Sequence, residues 1–131
     1  MTQENVEAAR RAYDAFSRRD LDRFLELMDA DVDFTTRFVE RGGSYHGHEG
    51  VRTWWDDLLR VFSDFTIEVL EVRDLGDLTL NALRVRGRGV GSDAPFEENI
   101  WQVGKWRNGK AVSWRSFGTE GEAREAAEGL K

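Results

Sequence analysis

The chain has 131 residues, a formal net charge of −6 and no cysteine, and its length predicts a single domain over residues 1–131. The lack of cysteine excludes disulfides, thiolate metal sites and a cysteine nucleophile, and the acidic charge argues against nucleic acid as a partner because such a chain gains nothing from displacing phosphate counterions. No apolar run approaches the roughly 18 residues that a membrane span needs, no secretory signal is visible, and the composition fits a cytoplasmic protein.

The first half of the sequence predicts mainly helices. Residues 3–18 have apolar side chains at helical spacing, which predicts a first helix. Asp20 is a capping residue type and is expected to start a short second helix. A first strand is predicted where apolar and small residues alternate, at Val32, Phe34, Thr36 and Phe38. A third helix is predicted to carry on its inner side Val51, Trp54, Trp55, Leu58 and Phe62.

The second half predicts strands, over residues 65–74, 78–90, 96–106 and 110–117. Asn108 and Gly109 are the strongest short hairpin signal and predict a type I′ turn between the last two strands. Thr119 and Glu122 form a capping box. The final helix that follows is predicted to face the sheet with Ala123, Ala126 and Leu130.

Helices followed by strands indicate an α+β domain, and the order of the elements resembles the nuclear transport factor 2-like superfamily, specifically its SnoaL-like branch. Three stretches carry the resemblance, at residues 12–25, 45–51 and 106–130. The resemblance implies a curved, mostly antiparallel sheet that forms a cone, with helices over its concave face. It also implies a pocket between that face and helices 1 and 3, and a homodimer formed through the sheet.

The resemblance also assigns faces to the strands. Gln102 matches a pocket-facing acid of the family's ketosteroid isomerases, and strand alternation then turns Glu98 and Ile100 inward. The outward positions of the same strand are Asn99, Trp101 and Val103. The ligand-binding residues predicted for the pocket are Tyr13, Phe16, Phe34, Thr36, Trp54, Leu58, Glu98, Ile100, Gln102, Trp114 and Ser116. This mostly apolar set with a few polar groups predicts a small apolar molecule as the ligand.

Two activities of the superfamily are argued against by the residues present. Ketosteroid isomerases use a helix 1 tyrosine, a first-strand aspartate base and a protonated pocket aspartate, and alignment on Asp20 places Ala12, Thr36 and Gln102 at these positions. Alanine cannot donate and threonine cannot act as a base near neutral pH, and Tyr13 is expected to point about a quarter-turn away.

Limonene-epoxide hydrolase-like members need an Arg-x-Asp motif on a strand. The corresponding region here reads Arg84-Val85-Arg86, which lacks the aspartate, so epoxide hydrolysis by that mechanism is also argued against.

SnoaL-like cyclases move a proton with a carboxylate or a histidine, which makes Glu98 and His46 the candidate catalytic groups, with Gln102 as an orienting donor or acceptor. Beside Trp114, a carboxyl would have a raised pKa and serve as a base. The alternative is that Glu98 is solvated near the strand end or pairs with an arginine. His46 is a candidate acid or base at the pocket rim, or a residue that holds the turn.

The spacing of His46 and His48 also raises the question of a metal site. No third ligand is evident, although Asp33 and Glu49 are conceivable. We therefore expect no metal and no cofactor.

Arg84, Arg86 and Arg88 share one face of a strand. They are candidates for binding an anionic ligand or partner. The alternative is a solvated or dimer-side face that pairs with Glu68 and Glu97 on neighbouring strands.

Two functional hypotheses follow from the sequence. The first is a small-molecule enzyme resembling SnoaL-like cyclases or isomerases, acting on a polyketide- or terpenoid-like compound. The second is a non-catalytic binder or dimeric accessory domain that uses the pocket for an apolar ligand or only for packing.

Overall fold

The computed structural model describes residues 2–36, 44–88 and 95–130. Its four helices are α1 Thr2–Ser17, α2 Leu21–Glu26, α3 Gly47–Val61 and α4 Glu120–Leu130. Its six strands are β1 Met28–Thr35, β2 Ser44–His46, β3 Thr66–Asp74, β4 Leu78–Arg88, β5 Pro95–Arg107 and β6 Lys110–Phe117. The α+β class is confirmed, and the short strand β2 is an addition to the predicted elements. Phe38 and Val90, predicted as strand positions, lie outside the described residues.

The strands form one curved sheet in the order β2-β1-β6-β5-β4-β3. Neighbouring strands are antiparallel except for β1 and β6, which are parallel. The mostly antiparallel sheet was expected. Strand β1 therefore lies between β2 and the last strand, β6. Phe34 of β1 is in register with Trp114 of β6, so the two strands contribute side chains to the same face.

Local signals explain several element boundaries. Asp20 accepts a hydrogen bond from the backbone N–H of Arg23 at 3.1 Å and so caps α2. Asn108 and Gly109 have φ values of 54° and 77°, the left-handed pair that a type I′ turn requires. Thr119 Oγ1 accepts from the backbone N–H of Glu122 at 3.1 Å at the start of α4.

Arg19 joins the end of α1 to the start of the sheet. Its guanidinium donates to the carbonyl of Phe16 at 3.0 Å and to that of Phe65 at 2.6 Å, and it lies over the Phe16 ring. These contacts fix the position of α1 above β3 and thereby the depth of the space beneath the helix.

The two faces of the sheet carry separate hydrophobic cores. One face packs against α1, α2 and α3 through a large aromatic cluster. The opposite face packs Leu78, Leu80 and Val103 against α4, whose buried residues are Ala123 and Ala127. Ala127, four residues after Ala123, replaces the predicted Ala126, which is only half-buried.

The expected outward face of β5 is correct, but α4 covers part of it. Val103 is fully buried, Trp101 is half-buried and Asn99 is exposed. None of the helices in the described ranges is long and apolar enough to cross a membrane.

Candidate functional site

A cavity lies between the sheet and α1, α2 and α3. Its lining consists of Tyr13, Phe16, Phe24, Phe34, Thr36, Trp54, Leu58, Phe65, Ile67, Val85, Ile100, Gln102, Trp114 and Ser116. Ten of these fourteen side chains are apolar, and no lysine, arginine, histidine or carboxylate is among them. An uncharged, largely apolar molecule is the kind of ligand that matches such a lining.

Aromatic rings fill most of the cone. The Phe34 ring lies 4.6 Å from Trp54 and 6.3 Å from Trp114, centroid to centroid, the second pair with parallel planes. Tyr13 meets Trp114 at 5.6 Å. The space left between the lining residues offers about 20 Å³ for the centre of a water molecule, which is enough for about one water. The lining side chains therefore fill most of the pocket themselves.

A buried chain of hydrogen bonds runs along one side of the cavity. Asn81 Nδ2 donates to the Tyr13 hydroxyl at 2.8 Å, and this hydroxyl donates to Gln102 Oε1 at 2.6 Å. Gln102 Nε2 then donates to Ser116 Oγ at 2.9 Å. Each link has the length of a normal hydrogen bond. We call these four residues the polar chain.

Strand register places the polar chain. Asn81 on β4 pairs with Gln102 on β5, and Gln102 pairs with Ser116 on β6. Residues in register across a sheet point to the same face, so the three side chains form one row. Tyr13 reaches the row from α1, where Ala12 is fully buried and its small side chain lets the helix lie close to the sheet.

The Tyr13 hydroxyl stays neutral at ordinary pH. Burial raises its pKa far above the usual value of 10, and the hydrogen bond from Asn81 opposes this with a smaller effect. A neutral phenol is a hydrogen-bond donor and acceptor rather than a base. Tyr13 was expected to point about a quarter-turn away from the position of the isomerase tyrosine, which Ala12 occupies, and its hydroxyl lies against Gln102.

Thr36 adds a polar atom without a partner. Its Oγ1 is buried and forms no hydrogen bond within the part of the chain that the structure describes, and the residue lines the cavity. A buried hydroxyl without a partner is unfavourable. A ligand that hydrogen bonds to Thr36 would remove this penalty.

Glu98 does not line the cavity. It pairs with Val85, which does line it, so the predicted face is correct, but the side chain is exposed. The reason is strand length: β6 ends at Phe117, which pairs with Trp101, so β5 has no β6 neighbour beside Glu98. Glu98 is therefore on the predicted face, but it is not among the residues that line the cavity.

His46 also lies outside the cavity. It precedes α3 with an exposed side chain, and its Nδ1 is 3.1 Å from Asp33 Oδ1. His48 Nε2 is 2.8 Å from the carbonyl oxygen of Met28, which joins α3 to β1. Within residues 2–36, 44–88 and 95–130, no three histidine, aspartate or glutamate side chains are grouped as metal ligands.

The arginine row lies on the sheet face opposite the cavity. Arg84 lies 3.5 Å from Glu68, and Arg86 pairs with both Glu68 and Glu97. The interpretation as a charged outer face agrees with these contacts.

Ten of the eleven residues predicted to bind ligand therefore line the cavity, while ligand binding itself stays a prediction. The lining residues that the sequence analysis missed are Phe24, Phe65, Ile67 and Val85. It also missed Asn81, which holds the buried end of the polar chain. The available signal was an isolated amide in an apolar strand, at a position sharing its face with Leu83.

The family model for the SnoaL-like domain matches residues 9–114. The chain belongs to the SnoaL-like family. No curated protein sequence matches it at a significant level.

Solved structures show the same fold as this SnoaL-like protein. An NTF2-like protein of unknown function from Burkholderia pseudomallei is 22% identical with a TM-score of 0.81, covering 95% of each chain. TerC, co-crystallised with polyporic acid, is 20% identical with a TM-score of 0.80, covering 95% of this chain and 98% of its own. A protein from Jannaschia sp. CCS1 with a proposed assignment as a SnoaL-like polyketide cyclase is 19% identical with a TM-score of 0.78, covering 96% of this chain and 92% of its own.

Proposed function

We propose that this SnoaL-like protein binds a small, uncharged, mostly apolar molecule that carries an oxygen, such as a polyketide- or terpenoid-like compound, without transforming it. The observation that carries the proposal is the cavity lining: aromatic walls surround Gln102, Ser116 and the unpartnered Thr36 hydroxyl, with no acid or base among the described residues that line the cavity. Convergent polar groups in an apolar cavity orient a ligand rather than attract a charge. The presence of polyporic acid in TerC supports ligand binding by this fold.

The small space left in the cavity limits the affinity for a ligand. Because about one water fits in the space, a larger ligand enters only when Trp54, Phe34 or their neighbours shift. The measured affinity is then reduced by the small population of the open state. Weak binding by compounds the size of one ring, and tighter binding by compounds that use Thr36 and Ser116 as well, is the expected pattern.

A proton-transfer enzyme is supported less well. The two candidate groups, Glu98 and His46, are exposed and do not line the cavity, and Tyr13 is held neutral by burial. General acid–base catalysis needs a group within hydrogen-bond reach of the substrate. The relative described as a polyketide cyclase is an observation on the side of catalysis.

The proposal is tested by thermal-shift screening of polyketide-like, steroid-like and terpenoid compounds, followed by calorimetric titration of each compound that stabilises the protein. Gln102→Leu is expected to weaken binding about tenfold, since it removes one hydrogen-bonding group from the cavity. Asn99→Leu, a matched change on the exposed face of the same strand, is expected to leave binding unchanged. A lack of saturable stabilisation by every class would overturn the proposal in favour of a pocket that serves only for packing.

A homodimer through the sheet belongs to the same proposal. Since α4 covers Val103, such a dimer would have to use the remaining outer surface around Trp101, Asn99 and Arg84. Sedimentation equilibrium of the protein and of Asn99→Arg tests this, with a shift toward the monomer expected for the variant. A monomer at all concentrations would contradict it.

A further inference from the structure

Asn81 combines two features that the binding proposal does not use. It is fully buried and does not line the cavity. Its Nδ2 donates to Tyr13, but its Oδ1 forms no hydrogen bond within the described part of the chain. An amide with one satisfied and one unsatisfied end is unusual for a buried side chain.

The polar chain has a direction. In each of its three hydrogen bonds, the donor is on the Asn81 side and the acceptor is on the Ser116 side. Ser116 accepts at the end of the chain, so its own hydroxyl hydrogen remains to be donated toward the cavity. In this direction, the chain presents a donor to a ligand.

The same four side chains permit the opposite direction. A half-turn of an amide exchanges its oxygen and nitrogen at nearly the same positions. With both amides turned, Ser116 donates to Gln102 Oε1, Gln102 Nε2 donates to Tyr13, and Tyr13 donates to Asn81 Oδ1. The separations of 2.6 to 2.9 Å suit O–H and N–H donors alike. Ser116 then presents only lone pairs to the ligand.

Both directions of the polar chain contain the same number of hydrogen bonds. Each has three internal hydrogen bonds, and each leaves one end of the Asn81 amide without a partner: the oxygen in one direction and the nitrogen in the other. The ligand group that contacts Ser116 therefore determines which direction the polar chain adopts. This inference rests on the proposed binding function.

We propose that Asn81 makes the site reversible, so that it accepts either a ligand carbonyl or a ligand hydroxyl at Ser116. A carbonyl receives the Ser116 hydrogen. A ligand hydroxyl that donates to Ser116 favours the reversed chain, because in the first direction the Ser116 hydrogen would be left without a partner. Asn81 is a specificity-determining residue that acts through Tyr13 and Gln102 without touching the ligand. The ligand class is a ring compound with one oxygen in either the ketone or the phenol form.

Asn81→Leu separates the two directions. Leucine has a similar size, but it offers no acceptor for the Tyr13 hydroxyl. The direction that donates to a carbonyl survives, because Tyr13 still donates to Gln102. The reversed direction leaves the Tyr13 hydrogen buried without a partner, which is unfavourable.

The experiment uses cyclohexanone, which only accepts hydrogen bonds, and pyrrole, whose N–H donates and whose nitrogen offers no lone pair, with dissociation constants from NMR titration of the full chain. Asn81→Leu is expected to weaken pyrrole binding about tenfold, the effect of one lost buried hydrogen bond, and to leave cyclohexanone binding within about twofold. The quantity compared between variants is the ratio of the two dissociation constants.

Two further variants keep the result interpretable. Thr79→Val removes another buried polar group of β4, the acceptor for Trp106 Nε1, and is expected to leave the ratio unchanged. In a Tyr13→Phe background, which separates Asn81 from Gln102, Asn81→Leu is expected to have no effect on the ratio.

If Asn81→Leu weakens the binding of both probes equally, or of neither, the reversible chain is contradicted. The proposed binding function is not affected by that outcome. If Asn81→Leu does not fold, the ratio in Tyr13→Phe decides: a ratio equal to that of the original protein excludes control through Tyr13. If neither probe binds the original protein, the proposed function fails and this inference fails with it.

Discussion

The two faces of the sheet are built from different side chains. The face under α4 is packed by Leu78, Leu80 and Val103 against two alanines. Its strands also carry one buried hydroxyl, that of Ser113, which is in register with Lys105 on this side of the sheet. The face under α1, α2 and α3 is packed by rings and includes the polar chain and an unpartnered Thr36 hydroxyl. The buried contact that holds α4 on this sheet is thus mainly aliphatic.

The difference indicates that the polar chain is not needed to hold the fold. Burying amides and hydroxyls gives little net stability even when they are paired, and Asn81 Oδ1 and Thr36 Oγ1 have no partner within the described residues. Apolar side chains at these positions would be expected to stabilise the domain about as well. Orientation of a ligand is the benefit that the polar groups can provide.

The largest expected effect comes from opening the ring-packed face. Phe34→Ala removes a fully buried ring and should lower the free energy of unfolding by about 4 kcal/mol. The space it leaves lies in the ligand cavity, so benzene or toluene should raise the melting temperature of the variant. Chemical denaturation and calorimetry measure both effects. A destabilised variant that no small aromatic stabilises would show that the rings collapse onto each other.

Leu80→Ala makes the matching change under α4. A loss of about 3 kcal/mol is expected from the removed side chain and the space left behind, measured by urea unfolding. Ligand affinity should stay the same, because Leu80 belongs to the opposite core. A changed affinity at a temperature where the variant is fully folded would show that the two faces are coupled.

The free energy of unfolding should depend on alkaline pH through Tyr13, which belongs to the face under α1, α2 and α3. Because its folded-state pKa is raised above the unfolded value of 10, the folded protein retains a proton that the unfolded chain loses. The stabilisation is complete below pH 10 and is lost as the pH rises above it, by about 1.4 kcal/mol per pH unit. Tyr13→Phe should remove this contribution, and its unfolding free energy should fall less steeply between pH 10 and 11. Parallel slopes for both proteins would contradict a buried, neutral Tyr13.

Much of this architecture was accessible from the sequence because local signals and alternation agree. Asn108 and Gly109 determine the turn, the turn determines the register of β5 and β6, and the register determines which side chains face Trp114. The ring residues of α1 and α3 follow from helical spacing in the same way. Ten lining residues could therefore be predicted without coordinates.

The features that the sequence did not predict depend on strand lengths and on contacts between distant parts of the chain, which the alternation of side chains along a strand does not determine. Alternation states which face Glu98 is on but not how far β6 extends beside it, so the end of the cavity was missed. Helical spacing predicts Tyr13 as a lining residue but does not indicate that its hydroxyl reaches Gln102 from α1. Buried partners such as Asn81 depend on contacts 68 residues apart in the chain, which no local pattern indicates.

The smallest expected effect tests the exposed candidates. Glu98→Gln and His46→Asn remove the charge or the titratable group from side chains that are exposed, and surface changes of this kind usually alter stability by no more than about 0.5 kcal/mol. Ligand-induced thermal shifts should be unchanged in both variants, since neither side chain lines the cavity. Gln102→Leu is the positive control, in which the ligand-induced thermal shift is expected to decrease. Loss of ligand stabilisation in Glu98→Gln would place the ligand at the outer end of β5 and would restore this carboxylate as a candidate for proton transfer.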